Sequence, residues 1–156
     1  MEIKHLYKDE IKVAKETLSI INQRLMVKLP EDEAAFIALH IVNAQLELNI
    51  REIQQVTALI TETVNIVRYH FKIALDESSL NYARFVTHLK FFARRLLREQ
   101  TNTKGDATMF NIIKEQYPEV YQCVLLIEAH INRVYEQTLT MSEKLYLMVH
   151  MTRIKK

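Results

Sequence analysis

The chain has 156 residues, 49% of them hydrophobic, with 21 basic and 19 acidic side chains and a net charge of +2. That much apolar content supports a packed core and excludes a disordered chain. A balance so near neutrality excludes a dedicated nucleic-acid binder. One glycine and two prolines are too few turn residues for a hairpin-rich fold, so an all-α chain is expected.

The first helix is expected over about 7–26, with Leu18, Ile21 and Leu25 as its apolar stripe. Leu29-Pro30 ends it, and Pro30 suits the start of a second helix. Glu31, Asp32 and Glu33 follow, where the positive helix end favours carboxylates. This second helix carries His40 and ends near Leu48. ELNIRE at 47–52 is the best linker candidate, and 49–52 is taken as the boundary. A helix over 53–73 buries Val56, Leu59, Ile60, Val64 and Val67. DESS at 76–79 offers Asp76 as an N-cap. The helix that follows runs to about Glu99, with Phe85, Leu89, Phe92 and Leu96 as its core stripe. QTNTKGD at 100–106 reads as a loop and holds the single glycine. A short helix over 107–116 precedes one opened by Pro118 and running to 136. Thr140 to Glu143 spells a capping box at the start of the last helix, which contains His150.

The chain repeats itself at an offset of 110. Residues 7–45 slide without gaps onto 117–155, matching Tyr7 with Tyr117, Ile21 with Ile131, Asn22 with Asn132, Leu29 with Leu139 and Glu33 with Glu143. FIALHI at 36–41 falls on YLMVHM at 146–151, so His40 meets His150. The shared order of helix, break, acid, apolar run and histidine points to an internal duplication. A counterpart of His88 would precede Met1. Residues 1–48 are therefore expected to be the back half of one copy, and 53–156 a complete second copy.

Three histidines sit on apolar helix faces: His40 in FIALHIVNAQ, His88 in RFVTHLKFFARR and His150 in LYLMVHMTRI. Any one such histidine is more often a packing residue with one hydrogen bond. Three similar placements with basic neighbours ask for more. Arg84 lies one helical turn before His88 and Arg95 two turns after it. Arg153 lies three residues after His150, on the same face. Guanidinium groups depress a neighbouring histidine's pKa but pair well with phosphate oxygens. His40 has neutral Asn43 in the corresponding place, so the two copies are expected to answer phosphate differently.

Other chemistry is not spelled out. No zinc spacing, glycine-rich phosphate loop or nucleophile elbow occurs, so no metal, cofactor or catalytic residue is expected. Cys123, the lone cysteine, rules out an intramolecular disulfide and reads as a small core residue. His5, His70 and His130 read as structural or surface residues. MEIKHLYKDE lacks the pattern of a signal peptide, and no apolar run approaches membrane-spanning length. A cytoplasmic protein without membrane insertion is expected.

LPEDEAAFIALHIVNAQ at 29–45, SSLNYARFVTHLKFFARRL at 78–96 and SEKLYLMVHMTRI at 142–154 together resemble the PTS regulation domains (PRDs) of the LicT/SacY/BglG family of bacterial transcriptional antiterminators. The likeness runs through the whole chain in family order. In that family an N-terminal RNA-binding domain precedes two PRDs, each a compact bundle of about five helices. The resemblance implies a non-enzymatic sensor phosphorylated on histidine by the sugar phosphotransferase system. His88 and His150 match the second domain's sites for HPr, and His40 matches a first-domain site for a sugar-specific enzyme II. Phosphorylation would shift a homodimer so that the RNA-binding domain, absent from this sequence, holds an antiterminator hairpin. Alternatives are a histidine phosphorelay carrier, which usually needs one acceptor histidine, and a dimerisation module without phosphate chemistry.

Overall fold

In this computed structural model, residues 6–99 and 106–154 are described, and they form seven helices and no strand. The chain divides into two compact units, 1–58 and 59–156, with the division inside the third helix.

In the first unit, helix α1 spans Lys8–Leu25 and helix α2 spans Glu33–Leu46. They pair through Ile11, Ala14 and Leu18 of α1 and Ala34 and Ala38 of α2, with Ile37 alongside. The alanines let the two backbones approach closely. The buried stripe of α1 thus runs through 11, 14 and 18, and lies nearer the N-terminus than expected. Leu18 is buried, Ile21 is half-buried, and Leu25 is 68% exposed. Tyr7, just before α1, is buried and shares a 2.9 Å hydrogen bond with Thr57. Between the helices, Asn22 Oδ1 accepts the Leu29 amide at 3.0 Å. Pro30 does not open α2 directly. Amides 33, 34 and 35 each bond the carbonyl three residues back, at 30, 31 and 32, a tight turn that feeds the helix.

Helix α3 spans Ile50–Phe71, so the expected linker at 49–52 is mostly helix. The reason is local. Asn49 Oδ1 accepts the Glu52 amide at 2.9 Å, and Glu52 Oε1 accepts the Asn49 amide at 3.5 Å. This reciprocal cap starts the helix, and Leu48 before it is buried.

In the second unit, α4 spans Leu80–Leu97, α5 Ala107–Gln116, α6 Pro118–Tyr135 and α7 Met141–Ile154. Ser79, not Asp76, caps α4 by accepting the Tyr82 amide. Asp76 instead binds the Ser78 amide and hydroxyl, ordering the turn before it. Residues 100–105 of the expected loop lie outside the described residues. Asp106 caps α5 through the amides of Thr108 and Met109. Pro118 occupies the first turn of α6, as expected. The buried apolar residues of this unit include Val64, Val67, Phe85, Leu89, Phe92, Leu96, Val124, Ile127, Ile131, Leu147 and Met148. Cys123 is also buried, and burial pushes its thiol up to about 12, which keeps it protonated and inert.

The offset of 110 recurs in the helix bounds. α1 and α6 both have 18 residues, and their bounds differ by the repeat offset. A tyrosine precedes each, and each ends in a left-handed residue, Met26 (φ 52°) and Glu136 (φ 54°). The loop after each is held at equivalent amides by different acceptors. Leu29 uses Asn22, whereas the Leu139 amide donates to Glu128 Oε2 at 3.2 Å. Glu47, Lys72 and Glu99 repeat the left-handed ending, also without glycine.

Candidate functional site

His88 lies on α4 and His150 on α7, two helices of the second unit that pack together. Their rings stack, with centroids 3.8 Å apart and planes 25° apart. Tyr146 stands one turn before His150 and meets both rings edge-on, at 5.3 Å from His88 and 4.8 Å from His150. Its hydroxyl is hydrogen-bonded to His88 Nδ1 at 2.5 Å. Both histidines are half-buried.

Arg95, on α4, approaches from one side. Its Nε and Nη2 donate to the two oxygens of Glu143 at 3.3 and 3.2 Å, a fork-to-fork ion pair. Its guanidinium carbon is 5.2 Å from the Tyr146 ring centroid. Glu143 is buried, and its amide donates to Thr140 Oγ1. Thr140 therefore caps α7 as expected, while the acid of the motif holds a guanidinium at the site. Arg84 and Arg153 are exposed. Asn81 on α4 donates to the Arg153 carbonyl at 3.4 Å, tying α4 to the end of α7.

These neighbours keep both imidazoles neutral. Burial, then Arg153, Arg95 and Arg84, hold the His88 pKa below its ordinary 6.5. Burial, then His88 and Arg153, push His150 down to about 4. Stacked rings cannot both be charged at little cost, and a neutral ring nitrogen keeps the lone pair that attacks an electrophile. Burial raises the Tyr146 hydroxyl above its usual value, so it keeps its proton at neutral pH. The arrangement is two neutral nucleophilic rings ringed by three guanidinium groups.

Of the residues singled out in the sequence, the structure brings together His88, His150, Arg84, Arg95 and Arg153. His40 and Asn43 lie three residues apart on α2 of the first unit. His40 is exposed and Asn43 half-buried. Sequence reasoning missed Tyr146 and the second role of Glu143. The spacing of Tyr146, four residues before His150, could have revealed it. His130 and His70 are held in other contacts. His130 Nε2 bonds Glu62 Oε2 at 2.8 Å, and His70 Nε2 bonds the Glu119 carbonyl at 3.0 Å. His5 lies outside the described residues.

The PRD domain family matches residues 1–44 and 61–154, most of the chain. The chain belongs to the PRD family. The transcription antiterminator LicT of Bacillus subtilis (strain 168) is 47% identical over 155 residues, covering 99% of this chain and 56% of that protein. The beta-glucoside operon antiterminator of Dickeya chrysanthemi is 43% identical over 154 residues, covering 99% and 54%. The PtsGHI operon antiterminator of Bacillus subtilis (strain 168) is 29% identical over 154 residues, also covering 99% and 54%. This PRD chain thus spans about half the length of the curated relatives it matches. An all-α PRD fold fits its helices. Among the described residues, no helix is long and apolar enough to cross a membrane.

Proposed function

We propose that this PRD chain is the phosphohistidine-regulated part of a cytoplasmic sugar-operon antiterminator, a regulator and not an enzyme. The observation that carries the reading is the stacked, neutral His88–His150 pair among Arg84, Arg95 and Arg153. His88 and His150 accept phosphate from HPr, and His40 from a sugar-specific enzyme II. Residues 1–48 act as the back half of a first PRD and 53–156 as the second. Two separate family matches and two compact units support that division.

A phosphoryl group adds up to about two negative charges and three strong acceptor oxygens. On either ring it sits in the ring plane at a nitrogen, and its charged oxygens crowd the edge of the imidazole stacked 3.8 Å away, which disfavours the present stack. It also draws the guanidinium groups, and Arg95 can reach it only by loosening Glu143. The α4–α7 contact therefore has two arrangements, as a switch requires. The repacked face shifts a homodimer and, through it, an RNA-binding domain in the full-length regulator.

Incubation with phosphoenolpyruvate, enzyme I and HPr, followed by mass spectrometry at neutral or basic pH, tests the reading. Phosphate on His88 or His150 is expected. A folded chain that takes up none would overturn it, and transfer onward to a receiver aspartate would favour a phosphorelay carrier.

A further inference from the structure

We infer that Tyr146 is the positioning residue that makes His88 a phosphoryl acceptor at Nε2 and not at Nδ1. The inference rests on the phosphoacceptor reading of the second unit. The Tyr146 hydroxyl engages His88 Nδ1 directly, and its ring stands edge-on to the same imidazole at 5.3 Å. The hydrogen bond occupies Nδ1 whichever atom carries the proton, and Nε2 is the nitrogen left outside it. His150 covers one face of the ring at 3.8 Å, so a ring flip that exchanges the two nitrogens must pass through an unstacked orientation and gives up the hydrogen bond.

The bond is compatible with either His88 tautomer, and only the one protonated at Nδ1 leaves Nε2 nucleophilic. With the proton on Nδ1 and donated to the Tyr146 oxygen, Nε2 carries an in-plane lone pair. The donor is a phosphohistidine protein. Its phosphorus meets the Nε2 lone pair, a new N–P bond forms, and the donor's N–P bond breaks. The electron pair of the broken bond stays on the donor imidazole. That ring becomes neutral by gaining one proton, balanced by the proton His88 releases from Nδ1 after Nε2 is phosphorylated. No oxidant or metal is required. In metal sites, side chains that orient an imidazole through its other nitrogen change affinity or activity by about tenfold or more when removed, and the same orienting logic applies to this ring.

The repeat supplies a contrast. Phe36 occupies the position of Tyr146 in the first unit, one turn before His40. A phenylalanine has no hydroxyl to orient the His40 ring. Two histidines at equivalent register therefore stand beside different orienting groups.

Tyr146→Phe keeps the ring and removes only the hydroxyl, and thermal unfolding will confirm that it folds. Two readouts decide the case. Long-range ¹H–¹⁵N spectra of the unphosphorylated protein report the His88 tautomer, and spectra after HPr labelling report which nitrogen carries phosphorus. Wild type is expected to label His88 at Nε2. Tyr146→Phe is expected to lose the Nδ1 hydrogen-bond signature, to label about tenfold more slowly, and to yield some Nδ1 product. A labelled wild type with an indifferent Tyr146→Phe, same rate and same nitrogen, overturns the positioning role alone. A wild type whose His88 no phosphohistidine donor labels overturns the underlying reading as well.

Discussion

The His40 region of the first unit and the His150 region of the second share a helical frame but not a chemistry. In both, an acid near the start of the helix, an aromatic residue and a histidine follow at the same register: Glu33, Phe36 and His40, then Glu143, Tyr146 and His150. Glu33 is exposed, whereas Glu143 is buried against Arg95. Phe36 is 57% exposed, whereas Tyr146 meets two imidazoles. Asn43 stands where Arg153 stands. The second unit also has α4, which supplies His88, Arg84 and Arg95. A histidine's helical register therefore says little about its reactivity; the neighbouring helix and a few substitutions set its charge state and its partners.

The largest test of this contrast is phosphorylation. His88→Ala with His150→Ala should abolish labelling by HPr, while His40→Ala should leave it unchanged. Full labelling of the double variant, read by mass spectrometry, would erase the distinction between the units. The next largest effect is on stability. Glu143→Ala removes one partner of a partly buried fork-to-fork pair and should destabilise by roughly 2 kcal/mol. Glu33→Ala, at the equivalent exposed position, should change stability by less than about 0.5 kcal/mol. Urea unfolding of the two variants side by side measures the difference.

Acid should also separate the units. The folded-state pKa of His150, about 4, lies below its unfolded value of 6.5. Between these values the unfolded chain binds a proton that the native ring refuses, so stability rises with pH. The contribution is complete above about 6.5 and is lost as pH falls toward 4. Wild type should melt lower at pH 5 than at pH 7.5, and His150→Gln should show a smaller drop. An unchanged drop would remove the ring from the account. The smallest effect expected is a titration. Arg153→Gln removes a cation that lowers both site histidines, so their pKa values should rise toward 6.5 in NMR titrations.

Much of the fold was legible because apolar period and helix punctuation agree. Val56 to Val67 and Phe85 to Leu96 were placed correctly in the core, and Pro118 and Thr140 marked real helix starts. Where the reading failed, two side chains competed for one role. Asp76 and Ser79 both resemble caps, and only the backbone decides between them. Asn49 and Glu52 sit in a stretch that looks like a linker, yet they cap each other. The site was legible in its parts, since His88, His150 and the arginines stood out. Their stacking was not, because no sequence spacing reports how α4 meets α7. Tyr146 is one residue of an apolar run in the sequence, and Glu143 reads as an ordinary cap.

The left-handed helix endings have a practical consequence. Met26, Glu47, Lys72, Glu99 and Glu136 all hold φ between 52° and 54°, a conformation that glycine adopts most readily. In a chain with a single glycine, each ending keeps a side chain where the backbone would prefer none. These five positions are a reserve of unclaimed stability. Glycine at them would relieve that backbone strain without touching a residue of the stacked pair, yielding a more stable framework on which otherwise fragile site variants could be carried and compared.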